Sequence, residues 1–239
     1  MSNTPSRPAD PLMGLLVVDK PLGLSSMDVV RRVRKAARGA KTGHAGTLDP
    51  LATGILVCCL GKATRFVESI MGLPKTYVAE VDLSAFTASD DRESEREELA
   101  VPSPPDRAAV EAACEQFVGE IEQAPPAHSA VKVGGRRAYK LARQGKRVEM
   151  PTRTVVIYEM ELLEYDWPIA KVRIHCGRGT YIRSLARDLG KVLGTGGHLA
   201  SLCRTAVGPY DLDKAVQLDR VVEQGVTPDD LLPPPEAGG

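Results

Sequence analysis

The sequence has no long apolar run. Its cleanest stretches, such as Ile55 to Leu60, fall far short of the ~20 residues a spanning helix needs, so no membrane partner is expected. The opening residues MSNTPSRPAD lack the apolar centre of a secretory signal. Cysteine is sparse: Cys58, Cys59, Cys114, Cys176 and Cys203 make an odd count with no C-x-x-C. That excludes a disulfide framework and a zinc knuckle, and it leaves reduced, buried thiols in a cytoplasmic protein as the expectation. The four histidines, His44, His128, His175 and His198, show no H-x-E or H-x-x-x-H spacing, so a metal site and metal-dependent chemistry are not expected. There is no internal repeat. Net charge is also missing, because 31 basic residues meet 31 acidic ones. Neutrality argues at first against a nucleic-acid partner, but a total says nothing about distribution.

What is present is ordinary in bulk. Hydrophobic residues make up 43% of the 239 positions and charged residues 26%, the balance of a globular chain with a real core. Residues 1–12 read as a disordered tail. Leu15-Leu16-Val17-Val18 reads as a strand ending in the turn signal Asp19-Lys20-Pro21-Leu22-Gly23. Ser25 and Asp28 form a capping box, and Met27, Val30, Val33 and Ala37 follow at helical spacing until Gly39. Strands are expected at 54–60, 76–84, 154–165, 170–176 and near 198–203, and helices at 62–71, 106–118 and 180–193. The acidic stretch from Thr87 to Pro105 reads as a loop or an excursion with no assigned role, and 124–152 as an irregular protruding insert. One short helix and a Pro/Gly tail close the chain. Strands interrupted by helices without regular alternation point to an α+β fold with a mixed sheet.

The charge, once located, is strongly segregated. Residues 31–41 carry Arg31, Arg32, Arg34, Lys35, Arg38 and Lys41 with no acid, and 132–147 carry seven bases with no acid. The window 171–191 holds six bases against Asp188 alone, while 80–122 hold thirteen acids and 211–236 hold seven. The 132–147 run also contains Gly134, Gly135 and Tyr139, which allow close backbone approach and offer a stacking face. A polyanionic partner is therefore favoured by the pattern despite the neutral sum.

Two segments concentrate chemistry. Gly43-His44-Ala45-Gly46-Thr47-Leu48-Asp49-Pro50-Leu51-Ala52-Thr53-Gly54 presents one imidazole and one carboxylate ahead of a buried strand. A lone carboxylate can act as a nucleophile if a cation keeps it ionised. Gly177-Arg178-Gly179-Thr180-Tyr181-Ile182-Arg183 opens a helix and could make an anion-binding N-terminus, although the P-loop spacing fails. Arg183 is the candidate cation for Asp49.

These segments resemble the TruB family of tRNA pseudouridine synthases over roughly residues 14–210. Asp19 to Ser26 resembles its first motif, with Ser25 where Thr is usual, and Gly43 to Leu56 its catalytic motif. Lys75-Thr76-Tyr77 resembles its K-x-Y strand. Gln123 to Lys132, with Gly135 and Tyr139, resembles its insert, with His128 where Tyr or Phe is usual. Gly179 to Ala186 and Leu199 to Thr205 resemble its last two motifs.

The resemblance implies a pseudouridine synthase fold: a mixed, mostly antiparallel sheet flanked by helices, with a catalytic domain over 13–212 and a basic thumb-like RNA-clamping insert at 124–152. It implies a cofactor-free isomerase that converts uridine 55 in the T loop of tRNA to pseudouridine. Asp49 would be the nucleophile, Arg183 its partner, and Tyr77 would stack on the flipped base near the proton leaving C5. Tyr181 and Leu202 would line the uracil pocket, Lys20 would support its wall, and His44 would fill the gap left in the RNA stack. Lys132, Arg136, Arg137, Tyr139 and Lys140 would hold the tRNA T stem-loop. No obligatory protein partner is implied, and a monomer is expected. Residues 213–239 read as a short acidic C-terminal tail, too little for the PUA-type domain that bacterial members usually carry. The rival reading is a non-catalytic tRNA-binding chaperone on the same scaffold, which would have no need of Asp49.

Overall fold

The computed structural model describes residues 12–128, 132–133, 136–137 and 150–235. The tail expected over 1–12, except Leu12, and most of the insert after His128 lie outside the described residues. The first strand, β1 (Gly14–Lys20), shows why its sequence is apolar at every step. Leu15 and Val17 point into one cluster, with Phe66 and Ile70, while Leu16 and Val18 point into another, with Val29, Val30 and Val33. Successive side chains alternate faces, so a strand covered on both sides must be continuously hydrophobic.

The chain then enters α1 (Ser26–Ala36) through the expected capping box: Asp28 N–H donates to the Ser25 hydroxyl and Ser25 N–H to the Asp28 carboxylate. Val30, Val33 and Ala37 of the expected stripe are buried, but Met27 is exposed, and Ser26 and Val29 complete the buried face. Next come β2 (Thr42–His44), β3 (Ala52–Leu60), a 3-10 turn at Gly61–Phe66 and α2 (Val67–Gly72). The central strands follow: β4 (Lys75–Asp82), β7 (Gly119–Gln123), β10 (Arg153–Asp166), β11 (Ile169–Cys176) and β12 (His198–Val207). Between them lie the helices α3 (Arg107–Glu115), capped by Asp106, and α4 (Ile182–Leu193), which ends on Gly194 in the left-handed conformation.

Near the end of the chain come β13 (Tyr210–Asp211) and β14 (Val216–Gln217). Ten strands form one sheet with the path β14-β1-β3-β12-β4-β11-β10-β7, β13 joining β12 and β2 joining β3. Only the β1–β14 and β3–β12 pairs are parallel, so the sheet is mixed and mostly antiparallel, as expected. Helices α3 and α4 pack with β4, β10 and β11 around the largest core cluster.

Two segments differ from their expected character. The acidic stretch is not a bare loop: β5 (Ala85–Thr87) pairs with β6 (Arg96–Glu98), and Ser89, Asp90 and Asp91 between them are buried. The segment read as a tail packs back on the domain. Its strand β14 lies parallel to β1, and α5 (Leu218–Gln224) buries Leu218 and Val221 against the α1 cluster. Leu232 bonds Leu15 in both directions at 2.9 Å. In the insert, β8 (Lys132–Val133) and β9 (Arg136–Arg137) pair antiparallel.

Candidate active site

The β2–β3 connection carries Asp49 and is pinned at several points. The Ser26 hydroxyl accepts from Leu48 N–H at 2.8 Å and donates to Leu48 O at 3.0 Å. Gly23 N–H donates to Pro50 O at 2.8 Å, and Ala52 N–H closes the Asp49-Pro50 turn at 3.0 Å. Lys20 Nζ reaches Pro21 O at 2.9 Å and Pro50 O at 3.5 Å. The first motif thus holds the loop through backbone groups, whatever bases or acids it presents.

From the other side the loop is held by Arg204, which sequence reasoning missed. Its guanidinium is 1% exposed and donates to Ile55 O at 2.7 Å and Gly46 O at 3.1 Å, straddling Asp49. The strand register makes this possible: Arg204 stands opposite Tyr77 on β4 and Gly54 on β3. Gly54 has φ +92°, and a Cβ there would lie 2.3 Å from Arg204 O, so only glycine fits. A buried strand arginine cannot be told from a surface one until the register is known.

Asp49 meets Arg183 across this geometry: Arg183 Nε lies 3.0 Å from Asp49 Oδ2. Arg183 sits in the first turn of α4, whose N-terminus has no side-chain cap of its own. The buried Gln123 holds the N-cap residue itself, accepting from Tyr181 N–H at 2.8 Å and donating to Tyr181 O at 3.1 Å. The remaining donors of Arg183 are used as well: Nη1 binds Asp91 Oδ2 and Ser89 O, each at 3.1 Å, and Nη2 points to His128 O at 3.4 Å. Asp91 is 1% exposed and also accepts from Ser89 Oγ and Glu93 N–H. One turn on, Arg187 pairs with Asp90 at 2.8 Å and donates to Ala124 O at 3.2 Å. The acidic stretch without an assigned role therefore supplies the counter-ions of α4. Its signal in the sequence was only a charge run; the burial that gives it meaning is tertiary.

Five of the expected residues line one cleft of about 260 Å³: Asp49, Tyr77, Tyr181, Arg183 and Leu202. Thr47, Leu48, His128, Thr180 and Ile182 complete it. Lys20 and His44 are not in its wall. Lys20 is fully buried behind the loop, and burial, opposed by the nearby Asp49 charge, lowers its pKa to about 8. His44 is half-buried on β2; burial first, then the Arg204 charge, holds it below the usual histidine range, so its ring is neutral at pH 7. Tyr77 is nearly buried, and burial raises its pKa while the Arg204 charge opposes the shift. Lys132, Arg136 and Arg137 are described only by their strand pairing, and Tyr139 and Lys140 lie outside the described residues. Among the described residues no cluster of His, Cys, Asp or Glu could hold a metal, and no helix is long and apolar enough to cross a membrane.

Comparison with known proteins gives the family. Residues 33–182 match the family model described as TruB family pseudouridylate synthase, N-terminal domain, and 183–233 that of the tRNA pseudouridylate synthase B C-terminal domain. A tRNA pseudouridine synthase B from Cupriavidus taiwanensis is 48% identical over 227 residues, 93% of this chain and 72% of that protein. One from Parabacteroides distasonis is 45% identical over 89% of this chain and 94% of its own length. The crystal structure of a Cbf5-Nop10-Gar1 complex superposes with a TM-score of 0.72 at 28% identity, covering 97% of this chain and 66% of that one. The matched segments run almost end to end and include the loop, the strands and the helix that build the cleft, so the chain belongs to the TruB family of pseudouridylate synthases.

Proposed function

We propose that this protein isomerises uridine 55 in the T loop of tRNA to pseudouridine, with Asp49 as nucleophile. The observation that carries the reading is the Asp49–Arg183 pair at 3.0 Å in a cleft also walled by Tyr77, Tyr181 and Leu202. The target base must leave the folded loop before its glycosidic bond can be reached, which costs about a few kcal/mol. The cleft takes it between the Tyr77 ring and the Leu202 side chain. Asp49 attacks the nucleotide and the C1′–N1 bond breaks. The freed base rotates and C5 bonds to C1′ as the bond from Asp49 to C1′ breaks and returns the carboxylate; the C5 proton leaves beside Tyr77 and N1 gains one, so no atom is added or lost. No cofactor enters the balance. Lys20 and Arg204 act through the backbone of the loop and hold Asp49 in place. His44, neutral and flat, stands outside the cleft and fills the hole left in the RNA stack. The basic insert grips the stem-loop. The protein acts as a cytoplasmic monomer.

The test is Asp49→Asn on a T stem-loop RNA. Pseudouridine formation disappears while RNA binding persists within about threefold, because one neutralised acid leaves every cation that meets a phosphate in place. Substantial product from the variant would overturn the nucleophile assignment. Binding by the unaltered protein with no product on any RNA would favour the chaperone reading.

A further inference from the structure

A second cavity of about 540 Å³ adjoins the catalytic cleft and shares Thr47, Tyr77, Thr180 and Tyr181 with it. Its volume lies in the range of built ligand sites. Its charge is one-sided. Lys75, Arg153, Arg178 and Arg204 line it, and one carboxylate, the exposed Glu68, stands in its wall. Among the described residues none of the four cations has a salt-bridge partner, whereas Arg183 and Arg187 beside them each have carboxylates. Lys75 and Arg204 are buried, Arg153 is half-buried and Arg178 exposed; buried charges are normally paired, so the two buried cations favour an anion that the chain itself does not supply.

Two of these cations have a donor without a partner. Arg153 gives one N–H to Gly179 O at 2.7 Å, but its Nε is buried with no hydrogen-bond partner among the described residues. Lys75 Nζ uses two of its three protons on Met71 O and Leu73 O. Burial first, then the Arg204 charge and, less, the Arg178 charge lower the Lys75 pKa, while Cys176 opposes the shift. The ligand is not a stacked base, because the face of Tyr181 on this side is already covered by the Arg153 guanidinium, 4.5 Å from the ring centroid.

We propose that this cavity is an anion subsite that receives a phosphodiester of the RNA strand next to the target nucleotide. The proposal rests on the reading of the adjoining cleft. A strand that delivers its base past Tyr77 and Tyr181 must carry a flanking phosphate along the shared wall. The subsite anchors it, and Gly177 and Gly179 leave room for the close approach.

The test uses T stem-loop RNAs with a single neutral methylphosphonate on the 5′ or the 3′ side of the target uridine. Binding is measured with Asp49→Asn protein and with the same protein also carrying Arg153→Gln and Arg178→Gln; Arg178 is exposed, so Arg178→Gln alone serves if the double change disturbs folding. The arginine changes weaken binding about tenfold and reduce the slope of log K against log salt by about 0.7 for each phosphate that is no longer neutralised. One of the two methylphosphonates weakens the parent by a similar factor and has little further effect once the arginines are gone. The subsite is refuted if neither methylphosphonate matters, or if its effect multiplies with that of the arginines. The catalytic reading fails separately, if unaltered protein makes no pseudouridine on unmodified RNA.

Discussion

Asp91→Asn removes one charge and almost no volume from the least exposed carboxylate near the cleft. The structure sets the consequence. Arg183 is held between Asp49 at 3.0 Å and Asp91 at 3.1 Å, and their side chains are 41% and 1% exposed. At an effective dielectric constant near 20, a pair at 3 Å carries about 5 kcal/mol of raw attraction, most of it offset by desolvation. Breaking a buried pair outright costs about 3–5 kcal/mol. Here asparagine keeps hydrogen-bonding atoms and Asp49 still compensates the guanidinium, so a net loss of about 2 kcal/mol in stability follows, toward the lower end for a charged hydrogen bond. Turnover should suffer more. With Asp91 neutral, Arg183 has one strong anchor left, the proposed nucleophile itself, and shifts toward it. A displacement of about 1 Å in a catalytic constellation can cost ~100-fold, so kcat falls between about 10- and 100-fold.

The assay is single-turnover pseudouridine formation on saturating T stem-loop, beside a thermal melt. Asp90→Asn is the control, because it breaks the neighbouring Arg187 pair, which does not touch Asp49. It lowers the melting temperature without a comparable loss of turnover. The reasoning fails if Asp91→Asn retains kcat within twofold, or if the two variants lose activity equally.

Other outcomes follow from the same side chains. Lys20 is fully buried, with its pKa lowered to about 8 from an unfolded value near 10.5. Between those values the unfolded chain binds more protons, so the wild type gains stability relative to Lys20→Met as pH rises from about 8 to 10.5; urea titrations across that window check it, and a parallel pH dependence of the two proteins would contradict it. Cys58, Cys59, Cys114 and Cys176 are buried, Cys58 with its pKa pushed up to about 12 and the other three to about 11, whereas Cys203 is half-buried. A thiol reagent at pH 8 therefore labels Cys203 alone in the native protein and all five cysteines after denaturation, as counted by mass spectrometry.

Local features were legible in the sequence because their causes are local. The Ser25–Asp28 capping box closes within one turn, and the all-apolar run of β1 records a strand covered on both faces. The cleft was legible through a different signal, the resemblance carried by its motifs, and five of its residues were named before any register was known. Arg204 and Asp91 were not. Asp91 sits in an acidic run and Arg204 in an otherwise mostly apolar strand, and each owes its burial to partners more than ninety positions away: Ile55 and Gly46 for Arg204, Arg183 for Asp91. The α1 face shows the smaller error, since both Met27 and Val29 fit a helical stripe. Only the packing of α1 on β1, β3 and α5 selects Val29.

The neutral sum of charges takes its meaning from the same partners. By segment it divides into a basic set, naturally read as RNA-facing, and an acidic set left over. The fold cuts across that division. Within 171–191, Arg183 and Arg187 are spent on Asp91, Asp90 and Asp188, and Asp49 draws on Arg183 as well. In 31–41 the basic side chains stand exposed, with only Arg31 paired, to Asp28. The acids of 80–122 are thus partly structural counter-ions, and among the described residues the cations without a carboxylate include, besides the exposed 31–41 set, four beside the cleft: Lys75, Arg153, Arg178 and Arg204. A polyanion responds to the charge that remains after internal pairing. That remainder is positive beside the shared wall of the two cavities, even though the whole chain sums to zero.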